Sequence, residues 1–248
     1  MATASLFKSL FRLAKIGLLA VILFWVVTFV AAFWLAPVST LMWARYLTFR
    51  VVDQRFLPLS EISPNLIRAV AMSEDGQYCQ HGGVDWEALK SVVAGDGKST
   101  RGASTLTMQV TKNMMLWPGR SYLRKALEIP LSLGLDKGWG KQRTLQTYLN
   151  IAEWGDGIFG AEAAARYAFN KSARNLSVHE AALLASSLPN PFLRNPKHPS
   201  RHQLGVANVI QARMTDADYW LDCIHKLLAP NIALPTRTWV APSWIASS

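Results

Sequence analysis

The sequence predicts a mainly α-helical protein in which one N-terminal transmembrane helix precedes a helical domain. Three observations predict this class. Apolar residues recur at helical spacing along most of the chain, strand-like segments are sparse, and an uncharged apolar run covers residues 16–36. The 248 residues are 50% hydrophobic and 17% charged, so the chain can bury a core and does not belong to the disordered class.

The apolar run over residues 16–36 is long enough to cross a bilayer. About 20 residues at about 1.5 Å rise per residue span about 30 Å, the thickness of the hydrocarbon core. A secretory signal peptide would have a shorter apolar region and a small-x-small cleavage site, whereas this run continues through Phe33, Trp34 and Leu35. Three basic residues and no acidic residue precede the run, which predicts a cytoplasmic N-terminus and an external domain.

The chain is therefore expected to have four parts. These are a basic cytoplasmic tail at residues 1–15, a transmembrane helix at 16–36, a folded domain at 37–230, and a C-terminal tail at 231–248 whose structure no pattern predicts. The net charge of +10 indicates an anionic partner, which could be nucleic acid, a phosphorylated substrate or an anionic bilayer. Two cysteines exclude a disulfide framework and a four-thiolate metal site, and leave open whether Cys79 and Cys223 pair.

Local signals predict where the helices of the domain begin and end. The predicted helix starts are Ser63 before Pro64, Asp85, Ser104, and the capping box from Ser177 to Glu180. Further helices are expected over residues 120–136, 141–152, 160–169 and 203–228, and short strands over 48–52 and 236–240. A kink is expected at Pro130, because proline removes a backbone hydrogen bond.

An acidic pair, Glu74 and Asp75, follows the apolar face of the first predicted helix of the domain, and a glycine-rich turn with His81 comes next. A carboxyl group at a helix end beside apolar residues can have a raised pKa, which suits a general acid or base. The alternative is an acidic pair in a solvated turn, and this segment alone does not exclude it.

A polar stripe follows in residues 101–113. Thr105, Gln109 and Lys112 recur at helical spacing and share one face, with Asn113 at its edge. Hydroxyl, amide and ammonium groups do not form a core face. The stripe is either a solvated surface or a face that binds oxygen-rich groups such as sugars and phosphates.

An arginine pair with an acidic partner comes next. Arg124 and Glu128 are four residues apart and meet on one helix face, and Arg120 lies one turn earlier. An ordinary surface ion pair would be worth less than about 1 kcal/mol. Arginine's planar fork also suits a diphosphate, so both interpretations remain open at this point.

Five segments in order resemble the signatures of the peptidoglycan glycosyltransferase family. They are EDGQYCQHGG at 74–83, RGASTLTMQVTKN at 101–113, RSYLRKALE at 120–128, YLN at 148–150 with GAEAAA at 160–165, and EAALLA with LPNP within 180–191. The resemblance covers residues 60–195, and a related domain occurs in class A penicillin-binding proteins. The length leaves no room for a transpeptidase domain and no Lys-Thr-Gly occurs, so the chain resembles the monofunctional form.

The resemblance implies a lysozyme-like, two-lobed helical domain that polymerises lipid II into β-1,4 glycan strands outside the inner membrane. By position, Glu74 would be the general base and Glu128 a second catalytic carboxylate. The implied substrate- and diphosphate-binding residues are Lys112, Arg120, Arg124, Thr105, Gln109, Asn113 and Ser104, with Asp75 and His81 in support. No cofactor is required, although a divalent cation (Mg²⁺ or Mn²⁺) at Glu128 stays open. The implied partners are lipid II, the growing glycan lipid diphosphate, the bilayer and other wall-synthesis proteins, but not nucleic acid.

Two departures from the family pattern keep two rival functions open. Met108 stands where the family usually has a glutamine, and Gly205 or Val206 stands near the place of a C-terminal arginine, for which Arg201 is a candidate substitute. The first rival is a lysozyme-like or lytic hydrolase, which also uses a glutamate at a helix end but releases an uncharged sugar. The second is an inactive membrane scaffold in a wall-synthesis complex.

Overall fold

The computed structural model describes residues 2–31, 37–94, 102–119 and 121–224. The chain divides into two compact units, Met1–Pro37 and Val38–Ser248. The first unit contains helix α1 (Ala2–Ala31), on which large apolar side chains such as Leu19 and Leu23 are more than half exposed. Among the described residues, no helix combines the length and the apolar content that crossing a membrane requires. Residues 32–36 of the predicted span lie outside the described residues.

The second unit is mainly helical, as the sequence predicts. Its helices are α2 (Thr40–Leu47), α3 (Pro64–Glu74), α4 (Trp86–Ala94), α5 (Leu106–Met115), α6 (Tyr122–Ile151), α7 (Ala161–Phe169), α8 (Val178–Ser187), α9 (Arg201–Met214) and α10 (Ala217–Trp220). Three single 3-10 turns cover Leu59–Glu61, Ala173–Asn175 and Asp222–Ile224. Three very short strands, β1 (Asp53–Gln54), β2 (Glu153–Gly155) and β3 (Ile158–Phe159), form one sheet in the order β1-β3-β2.

Three of the predicted helix starts are confirmed. Ser63 caps α3 with Pro64 in the first turn, and the Asp85 carboxylate accepts a hydrogen bond from the backbone N–H of Ala88 before α4. Ser177 and Glu180 form the predicted capping box of α8. These caps depend on residues two or three positions apart, so the sequence alone can predict them.

The predicted start of α5 at Ser104 is wrong by one residue. Thr105 is the N-cap, and its hydroxyl accepts from the backbone N–H of Met108 while donating to the carbonyl of Gly83 at 2.7 Å. Ser104 instead accepts a hydrogen bond from the ammonium group of Lys125 at 2.9 Å. Thr105 and not Ser104 caps the helix because the Thr105 hydroxyl also binds the carbonyl of Gly83, a residue distant in sequence.

Three other predictions differ from the structure. The helices predicted at residues 120–136 and 141–152 lie largely in one continuous element, α6. Its backbone has non-helical dihedral angles at Gly140 and not at Pro130. Glycine accepts the φ of 69° found there, whereas proline keeps a φ near the helical value. The helix predicted at 203–228 ends at Met214. The strand predicted at 48–52 is replaced by β1, one residue further along, and the one predicted at 236–240 lies outside the described residues.

The core forms where α3 packs against α8 and α9 and where α5 packs against α6. Leu66, Val70 and Leu184 are fully buried at the first contact, and Val110 and Leu135 at the second. Ser132 of α6 also donates a hydrogen bond to the hydroxyl of Thr111 on α5 at 3.0 Å. This packing brings the C-terminal end of α3, the polar side of α5 and the first half of α6 to one place.

Candidate active site

Glu74 is the last residue of α3, and its carboxylate faces α5. The side-chain amide of Gln109 donates a hydrogen bond to Glu74 Oε2 at 2.9 Å. The buried Tyr148 hydroxyl lies 3.3 Å from Gln109 Oε1, to which it donates, so the amide nitrogen is left to face Glu74. Burial raises the pKa of the Tyr148 hydroxyl well above its usual value, which keeps this donor protonated.

The pKa of Glu74 is raised above that of an ordinary glutamate. Burial is the largest cause and Asp75 adds to it, whereas the hydrogen bond from Gln109 and the charges of Lys112 and Arg194 oppose the rise. A desolvated carboxylate with a raised pKa is a better proton acceptor than a solvated one. These properties suit a general base.

Asp75 and His81 stabilise the loop beside Glu74. Asp75 is buried, and its Oδ2 accepts from the backbone N–H of Leu106, at the start of α5. His81 Nε2 lies 3.0 Å from Asp75 Oδ1, and the carbonyl of His81 accepts from Lys141 Nζ at 2.6 Å. The loop is therefore tied to both α5 and α6, and the supporting role of both residues in catalysis stays a prediction.

A cluster of cations surrounds Glu128, which lies on α6 beside α5. Arg124 Nε lies 3.0 Å from Glu128 Oε1, and Lys125 Nζ lies 3.1 Å from Glu128 Oε2. Burial lowers the pKa of the nearby Lys112 ammonium, and the charge of Arg124 lowers it further, while Glu128 and Glu74 act in the opposite direction. Lys112 therefore lies within electrostatic range of both Glu74 and the Arg124–Glu128 pair.

A cavity of 140 Å³ opens beside this cluster. Lys112 and Arg124 line it together with the apolar side chains of Leu41 and Trp117. Asn113 also lines it, and the backbone carbonyl of Asn113 accepts from Thr40 Oγ1 at 3.2 Å. Two cations beside apolar walls can bind an anion that carries a hydrocarbon chain.

Two further cavities flank Glu74. One, of 140 Å³, is lined by Glu74, Asp75, Ser104 and Thr105, among others. The second, of 400 Å³, lies between Glu74 and the helices α8 and α9. Glu74 thus lines both a space bounded by residues 102–105, which precede α5, and a larger space bounded by α8 and α9.

Comparisons with known proteins decide the family. The Transglycosylase family model matches residues 44–215. A protein from Agrobacterium fabrum named biosynthetic peptidoglycan transglycosylase is 51% identical over 190 residues, which cover 76% of this chain and 84% of the relative. Two proteins of the same name are similar to this chain as well. The one from Brucella suis is 50% identical and covers 76% of this chain and 85% of the relative. The one from Rhizobium leguminosarum is 46% identical and covers 84% of this chain and 88% of the relative.

The chain belongs to the transglycosylase family. The sequence-based assignment to the monofunctional peptidoglycan glycosyltransferases is therefore confirmed, and with it the prediction of a glycosyltransferase enzyme. The matched region includes Glu74, Gln109, Lys112, Arg124 and Glu128.

The structure brings most of the predicted site residues of this transglycosylase together. Glu74, Gln109 and Lys112 adjoin one another, and Ser104 joins Glu128 through a shared contact with Lys125. Thr105 differs from the rest of the predicted polar stripe, because it is buried and its hydroxyl serves the cap and the Gly83 loop. Arg120 lies outside the described residues.

The sequence interpretation missed four residues of the site region. These are Lys125, which pairs with Glu128, Tyr148, which orients Gln109, Arg194, whose charge acts on Glu74, and Arg213, which lines both cavities beside Glu74. Lys125 and Tyr148 lie inside segments that carry the family resemblance, so each could have been considered. Arg194 and Arg213 become visible only once α8 and α9 are packed against α3.

The departures from the family pattern can also be located. Met108 is fully buried, so its thioether belongs to the core and not to the cleft. Gly205 and Val206 line the 400 Å³ cavity, as expected for the position of the missing arginine. Arg201, the candidate substitute, begins α9 and lines none of the three cavities beside Glu74 and Lys112.

The groups around Glu128 do not fit a divalent cation. Both oxygens of this carboxylate lie within about 3 Å of a cationic nitrogen, and Lys112 is close by. Mg²⁺ and Mn²⁺ bind several oxygen ligands, whereas the described residues around Glu128 offer one carboxylate among three positive side chains.

A disulfide joins Cys79 and Cys223, a pairing that the sequence left open. Cys79 lies in the loop between Asp75 and His81, and Cys223 lies in the last 3-10 turn of the described chain. The bond closes a loop with a sequence separation of 144 residues. It therefore ties the loop beside Glu74 to the segment that follows α9.

Proposed function

We propose that this transglycosylase polymerises lipid II at the membrane surface, with Glu74 as the base and Lys112 and Arg124 as the diphosphate site. The observation that carries the proposal is the arrangement along α5. Gln109 hydrogen-bonds Glu74, and Lys112, less than one helical turn further, lies between Glu74 and Arg124. A proton acceptor and a cation cluster thus adjoin each other along α5, as transfer from a diphosphate-linked sugar requires.

The base is needed because a sugar hydroxyl is far too weak an acid to ionise at neutral pH. In the proposed step, the 4-hydroxyl of the acceptor transfers its proton to Glu74 while its oxygen attacks the anomeric carbon of the growing chain. The bond between that carbon and the diphosphate oxygen breaks, and the electron pair leaves with the lipid diphosphate. In-line displacement inverts the α linkage and forms the β-1,4 bond.

The leaving group gains negative charge as its bond to the sugar breaks. Cations placed beside it therefore stabilise the transition state more than the bound substrate, which is the requirement for catalysis. Arg124 is held by an ion pair between its Nε and Glu128 Oε1, and both atoms are buried. The terminal Nη groups of the guanidinium are the donors left for phosphate oxygens, and Glu128 positions them.

We also propose that residues 16–36 anchor the enzyme in the inner membrane, with the catalytic domain outside. The support is the uncharged apolar sequence of residues 16–36 and the exposed apolar side chains of α1. A lipid-tailed substrate stays in the bilayer, so an enzyme that uses it gains from being held at the same surface. Leu41 and Trp117 beside the two cations are suitably placed for the start of the lipid chain.

Incubation of the purified full-length protein with lipid II tests the proposal. We expect glycan polymer, released lipid diphosphate and no cleavage of finished peptidoglycan. Cleavage of finished peptidoglycan without polymer formation would establish a hydrolase instead, and inertness toward both substrates would establish a scaffold. Either result overturns the proposed function. Polymerisation that persists unchanged in Glu74→Gln would overturn the assignment of the base.

A further inference from the structure

Arg213 is a cation of the cleft to which the reaction described above assigns no role. It lies in the last turn of α9, it is exposed, and it lines both the 140 Å³ and the 400 Å³ cavity that flank Glu74. Within the part of the chain that the structure describes, its side chain takes part in no hydrogen bond or ion pair. An unpaired guanidinium beside the reacting carboxylate is available for a ligand.

The face of α9 that carries Arg213 is otherwise almost devoid of charge. The residues of α9 that line the 400 Å³ cavity are His202, Gly205, Val206, Val209, Ile210 and Arg213. Their spacing places them on one side of the helix. Arg213 is the only permanent cation among them, and it also lines the 140 Å³ cavity beside Glu74. Gly205 leaves open space in front of the helix, because no atom lies within 4 Å of a Cβ built there.

Arg213 is separate from the diphosphate site. Lys112 and Arg124 line a cavity that does not include Arg213, and neither of them lines the two cavities that do. The acids that share the smaller cavity with Arg213 are already engaged. Asp75 accepts from the N–H of Leu106 and contacts His81, and Asp85 caps α4. Arg213 therefore borders Glu74 in cavities that the diphosphate cations do not line.

We propose that Arg213 binds a carboxylate of the peptide carried by the glycan substrate, in the 400 Å³ cavity between α3, α8 and α9. The inference rests on the proposed function, since it names a second contact with the same substrate. A guanidinium matches a carboxylate with two parallel hydrogen bonds, and the apolar walls formed by Val206 and Val209 weaken competition from water. A second charged contact, in a cavity that Lys112 and Arg124 do not line, holds the substrate at a second point.

The experiment compares the full-length protein on two substrates: lipid II with free peptide carboxylates and lipid II whose peptide carboxylates are amidated. For Arg213→Gln we expect KM for the free-acid substrate to rise about 10-fold with kcat within about twofold, because one charge-assisted contact is lost. Arg213→Lys should recover much of the loss. On the amidated substrate the wild type should already show the raised KM, and Arg213→Gln should add little.

Arg201→Gln is the matched control, since Arg201 lies on the same helix and lines neither cavity beside Glu74. It should leave KM unchanged on both substrates. Three outcomes would overturn the inference: Arg213→Gln changes KM equally on the two substrates, Arg213→Gln has no effect, or Arg201→Gln has the same effect as Arg213→Gln. In each case, polymerisation by the wild type would preserve the proposed function. Absence of polymer with the wild type would overturn the proposed function first, and this inference with it. Thermal melting of Arg213→Gln checks that the variant is folded.

Discussion

The amide of Gln109 donates a 2.9 Å hydrogen bond to the carboxylate of Glu74, and it does so in an orientation that the Tyr148 hydroxyl sets. Burial favours the neutral form of Glu74, whereas a donated hydrogen bond favours the ionised form. The ionisation of the proposed base is therefore a balance between the core behind it and the polar side of α5. The first prediction concerns this balance.

Replacing Gln109 by Leu should raise the pKa of Glu74 further, because the opposing hydrogen bond is lost and burial remains. A base works only when deprotonated, so activity falls as pH drops through its pKa. We expect the acid limb of the kcat/KM profile to move to higher pH and the neutral-pH rate to fall about 10-fold, with recovery at higher pH. Tyr148→Phe should give a smaller shift in the same direction. An acid limb that stays at the wild-type pH in both variants would contradict the claim that the hydrogen bond from Gln109 lowers the pKa of Glu74.

Lys112 should determine the alkaline limb of the same profile. Burial and the charge of Arg124 lower its pKa, so its ammonium loses its proton at a lower pH than an ordinary lysine. Activity that needs this charge is then lost as pH rises through the lowered pKa. Lys112→Arg keeps the charge, and we expect its alkaline limb to lie at higher pH than that of the wild type. Lys112→Met should be weakly active at every pH, and a wild-type-like profile for Lys112→Arg would rule out this role.

Gly83 is the residue of the catalytic loop that should tolerate substitution least. Its φ is +89°, and a Cβ at this position would lie 2.6 Å from the carbonyl oxygen of Ser132. Both strain and overlap with α6 oppose a side chain, so we expect Gly83→Ala to lower the free energy of unfolding by about 3 kcal/mol. Gly82→Ala is the control, because a Cβ there meets nothing within 4 Å. Urea titration of both variants checks the difference, and equal stabilities would contradict it.

The disulfide between Cys79 and Cys223 should stabilise the catalytic domain. A crosslink that closes a long loop restricts the unfolded chain, and for a separation of 144 residues the expected contribution is about 3–5 kcal/mol. Reduction of the wild type should therefore lower its Tm by about 10 °C. The double variant Cys79→Ser, Cys223→Ser should melt at that lower temperature with or without reductant. A wild-type Tm that is insensitive to reduction would show that the bond contributes little.

The sequence predicted best those structural features that depend on neighbours within one helical turn. The caps at Ser63 and Ser177 belong to this group. The enzyme class was predicted instead from five ordered segments that resemble one family. The cap at Thr105, the disulfide and the approach of Arg213 to Glu74 depend on contacts between segments far apart in the chain. No local pattern records such contacts, because they exist only after α3, α5 and α9 have packed.

The kinetics of Glu74→Gln with lipid II test the central claim most directly. Glutamine keeps the shape of the side chain but cannot accept the acceptor's proton, so kcat should fall at least about 100-fold. Binding should persist, because Lys112 and Arg124 are unchanged, and the Kd for lipid II, measured separately, should stay within about threefold of the wild-type value. Polymer formation at the wild-type rate would contradict a base at this position, however well the cations around Glu128 bind the diphosphate.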